Sequence, residues 1–594
     1  MMQWYANYQK HHCSKRDERM RKILFFLICC VASLNVWAME SFDILTNDDA
    51  AIYVQIFDLQ DKEKIDSAKK LESKLSDKFL MNEVLYQRYI SKTYRTRGAE
   101  LQSWMEKYYD MPGAERLSKI ANIKKASVRK PSVPNILTGK DYIETAQSET
   151  WTEKNYNDKI TQNINKFKKA IRSGSSKTAR QILEDKSFKS KLSEADYGRL
   201  AGRLSFLYYT NGEYELAKKW GFVASDANSE YGLWSMGLLY FKEEKYKESQ
   251  KYFSKILDLT QINNARKTEA AFWAARAADI ADDSKSKKKY LKIAAAYPMS
   301  FYGALATAML GDTPAYEFFD QECSDEDIVE LRKNKYGRKA LALLQVGKKD
   351  RAEEYLKYLI TAKSSDKLLH AVNALSSMYG LPRVSIMVSG VMRDRGVLEI
   401  NDDIIYSAQY PLPNWEPMGG WSIDRALLLA ITKQESGFKP TAKSNAGANG
   451  LMQIMPSTAK RVARKNSVKM SEIDMSKPEH NMFLGQQYIV DLLSHQLIQN
   501  NIIKMLVAYN AGMGNLVKFE KSFSTSDPLL YIESFPAYET RNYIKRVMSN
   551  LWLYRARLEQ PLTALKELAN GNWPYYNSED EYVQSQMFNS SLSL

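Results

Sequence analysis

Glu435 stands at the end of an apolar run in a position that could turn a carboxyl group into a proton donor. Ser422-Ile423-Asp424-Arg425 reads as the opening of a helix, with a good cap and an early acidic residue, and Ala426 to Ile431 continues it as a segment that should be buried. Gln434-Glu435-Ser436-Gly437 closes it, with Gly437 suited to the left-handed position after a last turn. A carboxylate at the negative end of a buried helix loses hydration and meets an unfavourable dipole; both raise its pKa, as a general acid requires. Taken alone, these residues fit an exposed Glu at a frayed helix end better. The downstream residues reverse that preference. Ser444-Asn445-Ala446-Gly447-Ala448-Asn449-Gly450-Leu451-Met452-Gln453-Ile454-Met455-Pro456 is a glycine-punctuated loop through which backbone can approach a ligand, and Ser444 and Gln453 offer hydrogen bonds suited to sugar hydroxyls and amides. Pro456-Ser457-Thr458-Ala459 restarts a helix. Farther on, Ala508-Tyr509-Asn510-Ala511-Gly512 ends another apolar helix and leaves a phenol and an amide at its terminus, where a core tyrosine is the competing reading.

Three of these segments, Gln434-Glu435-Ser436, Gly450 to Pro456 and Ala508 to Gly512, resemble in that order the signature of the soluble lytic murein transglycosylases. Ile532-Glu533-Ser534-Phe535-Pro536 and Glu539-Thr540-Arg541-Asn542-Tyr543-Ile544-Lys545-Arg546-Val547 resemble that family's C-terminal signature, and Ser300-Phe301-Tyr302-Gly303-Ala304-Leu305-Ala306 resembles a segment of its helical superhelix. The resemblance is strong over about residues 411–558, weak but collinear before that, and absent from 559–594. It implies a lysozyme-like, mainly α domain carried by a ring or horseshoe of helical hairpins. The implied reaction cleaves the β-1,4 bond between N-acetylmuramic acid and N-acetylglucosamine. Glu435 would then be acid and afterwards base, with Ser444, Gln453, Met455, Tyr509 and Glu533 lining the sugar cleft and Asn510 a weaker candidate.

Glycosidases ordinarily need two carboxyl groups. Glu472 and Asp474 sit among polar residues that read as a surface loop, and the resemblance reserves Glu533 for binding. A single acid suffices if the substrate supplies the nucleophile: the 2-acetamido carbonyl supports the anomeric centre and the C6 hydroxyl closes to a 1,6-anhydro sugar. Tyr509 is placed to position the acetamido group. A hydrolytic muramidase is the alternative within enzymes, and product mass separates the two. From another class comes a non-catalytic helical-repeat scaffold binding cell-wall enzymes, against which the intact Glu435 and the three motifs argue.

The elements that must hold these residues are helical. With 594 residues the chain has room for several domains, and 26 Gly and 16 Pro are too few for a turn-dense β architecture, so the class is all-α. Tyr208-Tyr209-Thr210-Asn211-Gly212-Glu213-Tyr214 aligns with Tyr240-Phe241-Lys242-Glu243-Glu244-Lys245-Tyr246 at an offset of 32 residues, with an echo at Leu343 to Ala352. That period belongs to tetratricopeptide-like hairpins stacked into a superhelix. Glu100 to Leu117 follows the same pattern, and Lys124 to Gly139 reads as an exposed linker. The expected organisation is therefore a signal peptide over 1–38, an α-superhelical domain over 39–360, a helical linker domain over 361–410, the lysozyme-like catalytic domain over 411–558 and a tail over 559–594 whose end frays.

Met20-Arg21-Lys22, the apolar run Ile23 to Ala32 and Ser33 to Ala38 form the three parts of a secretory signal, with the cut expected after Ala38 and Met20 a candidate start. A membrane anchor made by the same run is the competing reading. Cleavage removes six basic and two acidic residues and lowers the net charge from +15 to +11, which favours approach to a carboxylate-bearing glycan polymer. It also leaves Cys323 as the only cysteine, so the expected location is the periplasm, without disulfides and without a stable membrane span. The expected partners are peptidoglycan glycan strands, with other cell-wall enzymes as further candidates and no nucleic acid. His370, His480 and His495 are not spaced as a zinc site, so neither metal nor cofactor is expected.

Overall fold

A computed structural model describes residues 43–139, 156–260, 262–397, 404–581 and 583–584. The segment 1–38, expected to be a signal peptide, and the last ten residues lie outside that range. The described residues are predominantly α-helical and divide into two compact units.

The first unit takes described residues from 43–139, 320–397 and 406–413. Its hairpins Gly98–Tyr108 with Ala114–Ile123, Lys335–Gln345 with Lys349–Lys357, and Asp366–Tyr379 with Pro382–Asp394 follow the sequence pattern. One hydrophobic core joins early residues such as Tyr53, Ile56 and Val84 to late ones such as Leu343, Tyr355, Val372 and Val388. The boundary expected near residue 360 therefore falls inside a core. The first helices leave apolar faces that only the later hairpins cover, because a hairpin buries its surface on its neighbour rather than within itself. Residues 124–139 contain no helix, as expected of a linker, yet they are docked: the Arg129 guanidinium lies 3.4 Å from the centroid of the Tyr109 ring, and Leu137 N donates to Ile360 O at 2.8 Å.

The second unit combines the hairpins of 156–319 with the segment from 414 onward. The repeat registers as read. Glu194–Thr210 pairs with Tyr214–Asp226, and Glu230–Lys242 with Tyr246–Leu257. The matched turn residues Gly212 and Glu244 both take left-handed backbone, φ 78° and 60°, so the turn geometry recurs even where the sequence no longer supplies glycine. Asn264–Ile280, Ser284–Ala295 and Phe301–Met309 continue the array. It packs directly on the later segment: Phe301 stacks on Trp552 with centroids 5.3 Å apart, and Arg276 Nη2 donates to Asp527 Oδ2 at 2.8 Å.

The later segment is built from helices Arg425–Ser436, Pro456–Lys465, Pro478–Leu493, Ile502–Ala511, Met513–Ser522, Pro528–Ser534 and Tyr538–Arg557. Beyond 558 the chain does not fray within the described residues. Helix Thr563–Ala569 packs on Phe301–Met309, Trp573 meets Tyr531 edge-on at 5.0 Å, and Ile502 N donates to Pro574 O at 3.0 Å. The ring contact of Trp573 with Tyr531 and the helix Thr563–Ala569 supply apolar surface that holds this segment against the domain.

Candidate active site

The helix carrying Glu435 ends as its sequence implies, with Gly437 at φ 54°, ψ 41°. Its start differs. Asp424, not Ser422, occupies the cap position, and its carboxylate caps nothing. It accepts instead from Arg555 Nη2 at 2.7 Å and from Glu579 N at 3.1 Å, while Ser422 N donates to Gln486 Oε1 at 2.9 Å. A fully buried carboxylate gains more from a cation than from a helix end.

Glu435 is half-buried, and Tyr543 Oη donates to its Oε1 at 2.8 Å. Burial pushes the Glu435 carboxyl up to about 7; the Tyr543 hydrogen bond works against that rise and the charge of Glu539 adds to it. The site can therefore hold a proton near neutral pH and give it to a bound oxygen. Tyr543 received no role from the sequence. Its signal was a spacing: Glu539 and Tyr543 are four residues apart on the Tyr538–Arg557 helix and so share one face, here the face toward Glu435.

Tyr509 stacks on Tyr543, with centroids 6.5 Å apart and planes at 10°, and Tyr488 flanks it at 5.4 Å. Its Oη donates to Met452 O at 2.8 Å, which pins the glycine-punctuated loop to the Ile502–Ala511 helix. Within that loop Ser444 Oγ accepts from Ala448 N at 3.0 Å, leaving the hydroxyl proton to donate elsewhere. Gln453 takes φ 46°, and its Nε2 donates to Gly450 O at 2.9 Å. Met455 is 40% exposed at the start of the Pro456–Lys465 helix. Asn510 Oδ1 accepts from Thr540 Oγ1 at 2.8 Å, tying its helix terminus to the Tyr538–Arg557 helix.

Another residue that sequence reasoning missed is Asn481. Fully buried, it accepts from Met452 N at 2.8 Å and donates to Asn449 O and Met475 O at 3.1 Å. Gly450 must lie against it: at φ 80°, an added Cβ would meet Asn481 Nδ2 at 2.0 Å and Met475 O at 2.5 Å. Gly450→Ala is expected to lower stability by about 2 kcal/mol or more and to remove activity with it, since Gln453 and Met455 leave their places; thermal melts beside a turnover assay check this.

Glu533 is placed elsewhere. It is 2% exposed, accepts from Tyr302 Oη at 2.6 Å and from Lys545 Nζ at 2.9 Å, and lies 3.9 Å from Arg541 Nε. Burial opposes its charge, but Lys545 and Arg541 hold the carboxyl below its ordinary range. Lys545 is two residues from Tyr543, about 200° around the helix, so Glu533 meets the face turned away from Glu435. These contacts link Glu435 through Tyr543 and Tyr509 to the loop that carries Ser444, Gln453 and Met455, and tie Asn510 to the Tyr538–Arg557 helix, while Glu533 makes its bonds on another face of that helix. Glu539 is the exposed carboxylate whose charge reaches Glu435. Glu472 and Asp474 are exposed, as a surface loop implies.

Helical hairpins packed on an α-domain, in which a half-buried glutamate bonds Tyr543 and the adjacent Tyr509 holds a glycine-punctuated loop, define an architecture of the superhelix-plus-lysozyme-like class. More particularly, residues 416–532 match the model of the Transglycosylase SLT domain. The soluble lytic murein transglycosylase of Escherichia coli is 37% identical over 139 residues, a stretch that covers 23% of this chain and 21% of that protein, so the match spans about a fifth of the relative's length. The fold is similar to that of the 70 kDa soluble lytic transglycosylase of Escherichia coli, with TM-score 0.52 and 15% identity over 90% of this chain and 100% of that one. An inactive Glu-to-Gln mutant of lytic transglycosylase Slt from Pseudomonas aeruginosa aligns with TM-score 0.51 and 17% identity over 87% of this chain and 77% of that one.

Proposed function

We propose that this chain is a peptidoglycan lytic transglycosylase that cleaves the β-1,4 bond between N-acetylmuramic acid and N-acetylglucosamine and leaves 1,6-anhydro ends. The observation that carries the reading is Glu435, a carboxyl held near neutral pKa within hydrogen-bond reach of Tyr543, in the SLT domain and beside its glycine-punctuated loop. The names of the curated relatives, and a relative inactivated by one Glu-to-Gln change, support it. Glu435 gives its proton to the glycosidic oxygen as the C1–O bond breaks, while the substrate's 2-acetamido carbonyl supports the anomeric carbon. The C6 hydroxyl then attacks C1 and returns its proton to Glu435, so no water is consumed. Ser444, Gln453, Met455, Tyr509 and Asn510 bind the glycan around this centre. Glu533 contributes through the structure rather than through sugar contact. The substrate is a cell-wall polymer, which places the working protein outside the cytoplasm, and the segment 1–38, with Met20 a candidate start, is the export signal.

Mass spectrometry of soluble products from isolated peptidoglycan tests the reading. Products lighter by one water than reducing-end muropeptides are expected, and reducing ends alone would replace it with hydrolysis.

Glu539 gives the muramidase reading one specific observation, since its carboxylate is electrostatically felt at Glu435 and could serve a water. Glu539→Gln separates the two. A transglycosylase keeps its anhydro products and loses about tenfold or less in turnover, whereas a two-carboxylate hydrolase loses about 10²-fold or more.

A further inference from the structure

The Tyr538–Arg557 helix faces two ways. Glu539 and Tyr543 turn toward Glu435; Arg541 and Lys545, also four residues apart, turn toward the hairpins. On that second face six buried side chains alternate in sign. Glu230 pairs with Arg266, whose Nη1 donates to Glu269 Oε2 at 2.6 Å; Glu269 Oε1 accepts from Lys545 Nζ at 2.6 Å; Lys545 donates to Glu533 Oε1 at 2.9 Å, and Arg541 closes the row. All six are less than 10% exposed. Tyr302, from the Phe301–Met309 helix, donates to the same Glu533 oxygen at 2.6 Å.

The charges divide unevenly along the chain. Glu230, Arg266 and Glu269 belong to hairpin helices and sum to −1, while Glu533, Arg541 and Lys545 belong to the later segment and sum to +1. Neither half is neutral in the interior without the other. An apolar contact tolerates small slides and rotations, whereas a row of hydrogen-bonded buried ions accepts one register, the best-attested use of such groups. A rigid helix transmits that register to its opposite face, and Tyr543 is there.

Resting on the proposed function, we infer that Glu269 and Tyr302 of the hairpin array are positioning residues for the acid, acting through Lys545 and Glu533 to set where the Tyr543 hydroxyl meets Glu435. The superhelix is then part of the catalytic apparatus and not only a carrier for it. The groups facing Glu435 are Tyr543 and Glu539 from the Tyr538–Arg557 helix and the Tyr509 phenol from Ile502–Ala511, with Tyr488 behind it.

The test needs a readout of Glu435 that does not depend on substrate. The melting-temperature gap between a protein and its Glu435→Gln partner opens as the unfolded carboxyl ionises and stops widening at the pH where the folded one has done so. In the full chain that pH should lie near 7. Tyr543→Phe removes a hydrogen bond to the charged form and should move it upward by about one pH unit. Tyr302→Phe and Glu269→Gln should move it the same way by about half as much, and Tyr302→Phe combined with Tyr543→Phe should move it no further than Tyr543→Phe alone, because both act through one bond. Tyr302→Phe deletes a single hydroxyl and keeps the ring, so it remains the decisive variant if Glu269→Gln fails to fold. A purely structural role would lower the melting temperature of Tyr302→Phe and leave the pH unmoved, overturning the inference; so would additive shifts in the double variant, or a pH unmoved by Tyr543→Phe. Turnover at saturating peptidoglycan, with KM preserved, should fall in parallel. If even the wild-type chain releases nothing from peptidoglycan, the proposed function fails and the titration still decides the positioning role.

Discussion

On the proposed function, turnover on peptidoglycan is expected to fall by about 10² to 10⁴ when Glu435 is replaced by Gln, the range that a positioned general acid supplies. Gln keeps the shape and still accepts from Tyr543, so the loss is chemical and the circular dichroism spectrum stays that of the wild type. The pH dependence has a determined sign. The acid acts only while protonated, and with its carboxyl pushed up to about 7 by burial, wild-type kcat/KM is expected to be flat at mildly acid pH and to decline as the pH rises through about 7. Stability moves with the same group. Its folded value lies above the ordinary 4.5, so the stability it contributes is fully present below about 4.5 and is lost as the pH rises to about 7. Glu435→Gln carries no such loss. At pH 8 the variant should be the more stable protein by up to roughly 3 kcal/mol, with the gap vanishing near pH 4. A variant that is inactive yet no more stable at pH 8 would mean that the carboxyl is hydrated and ordinary, and its assignment as the acid would fall. Activity and stability pull apart at this residue because the desolvation that makes the proton available is a cost to the fold.

Local signals in the sequence carried far toward that site, and their limits have a common cause. Gly437 after the last turn, Pro456 opening its helix and the hairpin turn that recurs at Gly212 and Glu244 each depend on neighbours within a few residues, and each is found as read. Tyr543, Asn481 and Arg555 were not legible, because each acts on a partner more than 25 positions away, Glu435, Met452 and Asp424 respectively. Glu533 shows the same limit from the other side. Its motif marked it for attention, yet whether it faces the cleft or the hairpins depends on the rotation of a neighbouring helix, and the structure turns it to Lys545. The domain boundary near 360 was misplaced for the related reason that hairpins 200 or more residues apart complete one core.

Arg555→Met is expected to destabilise the unit that carries Glu435 by about 3–5 kcal/mol, the usual consequence of leaving a buried charge without its partner. Asp424 is fully buried, and its carboxylate is held by Arg555 Nη2, by the Ser578 hydroxyl and by Glu579 N. Asp424 N in turn donates to Tyr576 Oη at 3.0 Å, and Arg425 N donates to Asp580 Oδ2 at 2.6 Å. The first turn of the Glu435 helix is thus fastened by the segment beyond residue 558, whose tyrosines and acidic residues gave no hint of that task in sequence. Two further variants separate charge from packing. Asp424→Asn combined with Arg555→Met removes both ions and should cost far less than the sum of the single changes, with a coupling above about 1 kcal/mol in denaturant titrations. Additive losses would show that the pair does not interact. Truncation after residue 558 removes Ser578 and Glu579 while retaining Arg555, so the ion pair survives but its hydrogen-bonded surround does not. The truncated chain should keep its helical content, melt several degrees lower and lose turnover through Glu435 displacement, whereas unchanged turnover would mean that the helix is held without the segment beyond residue 558.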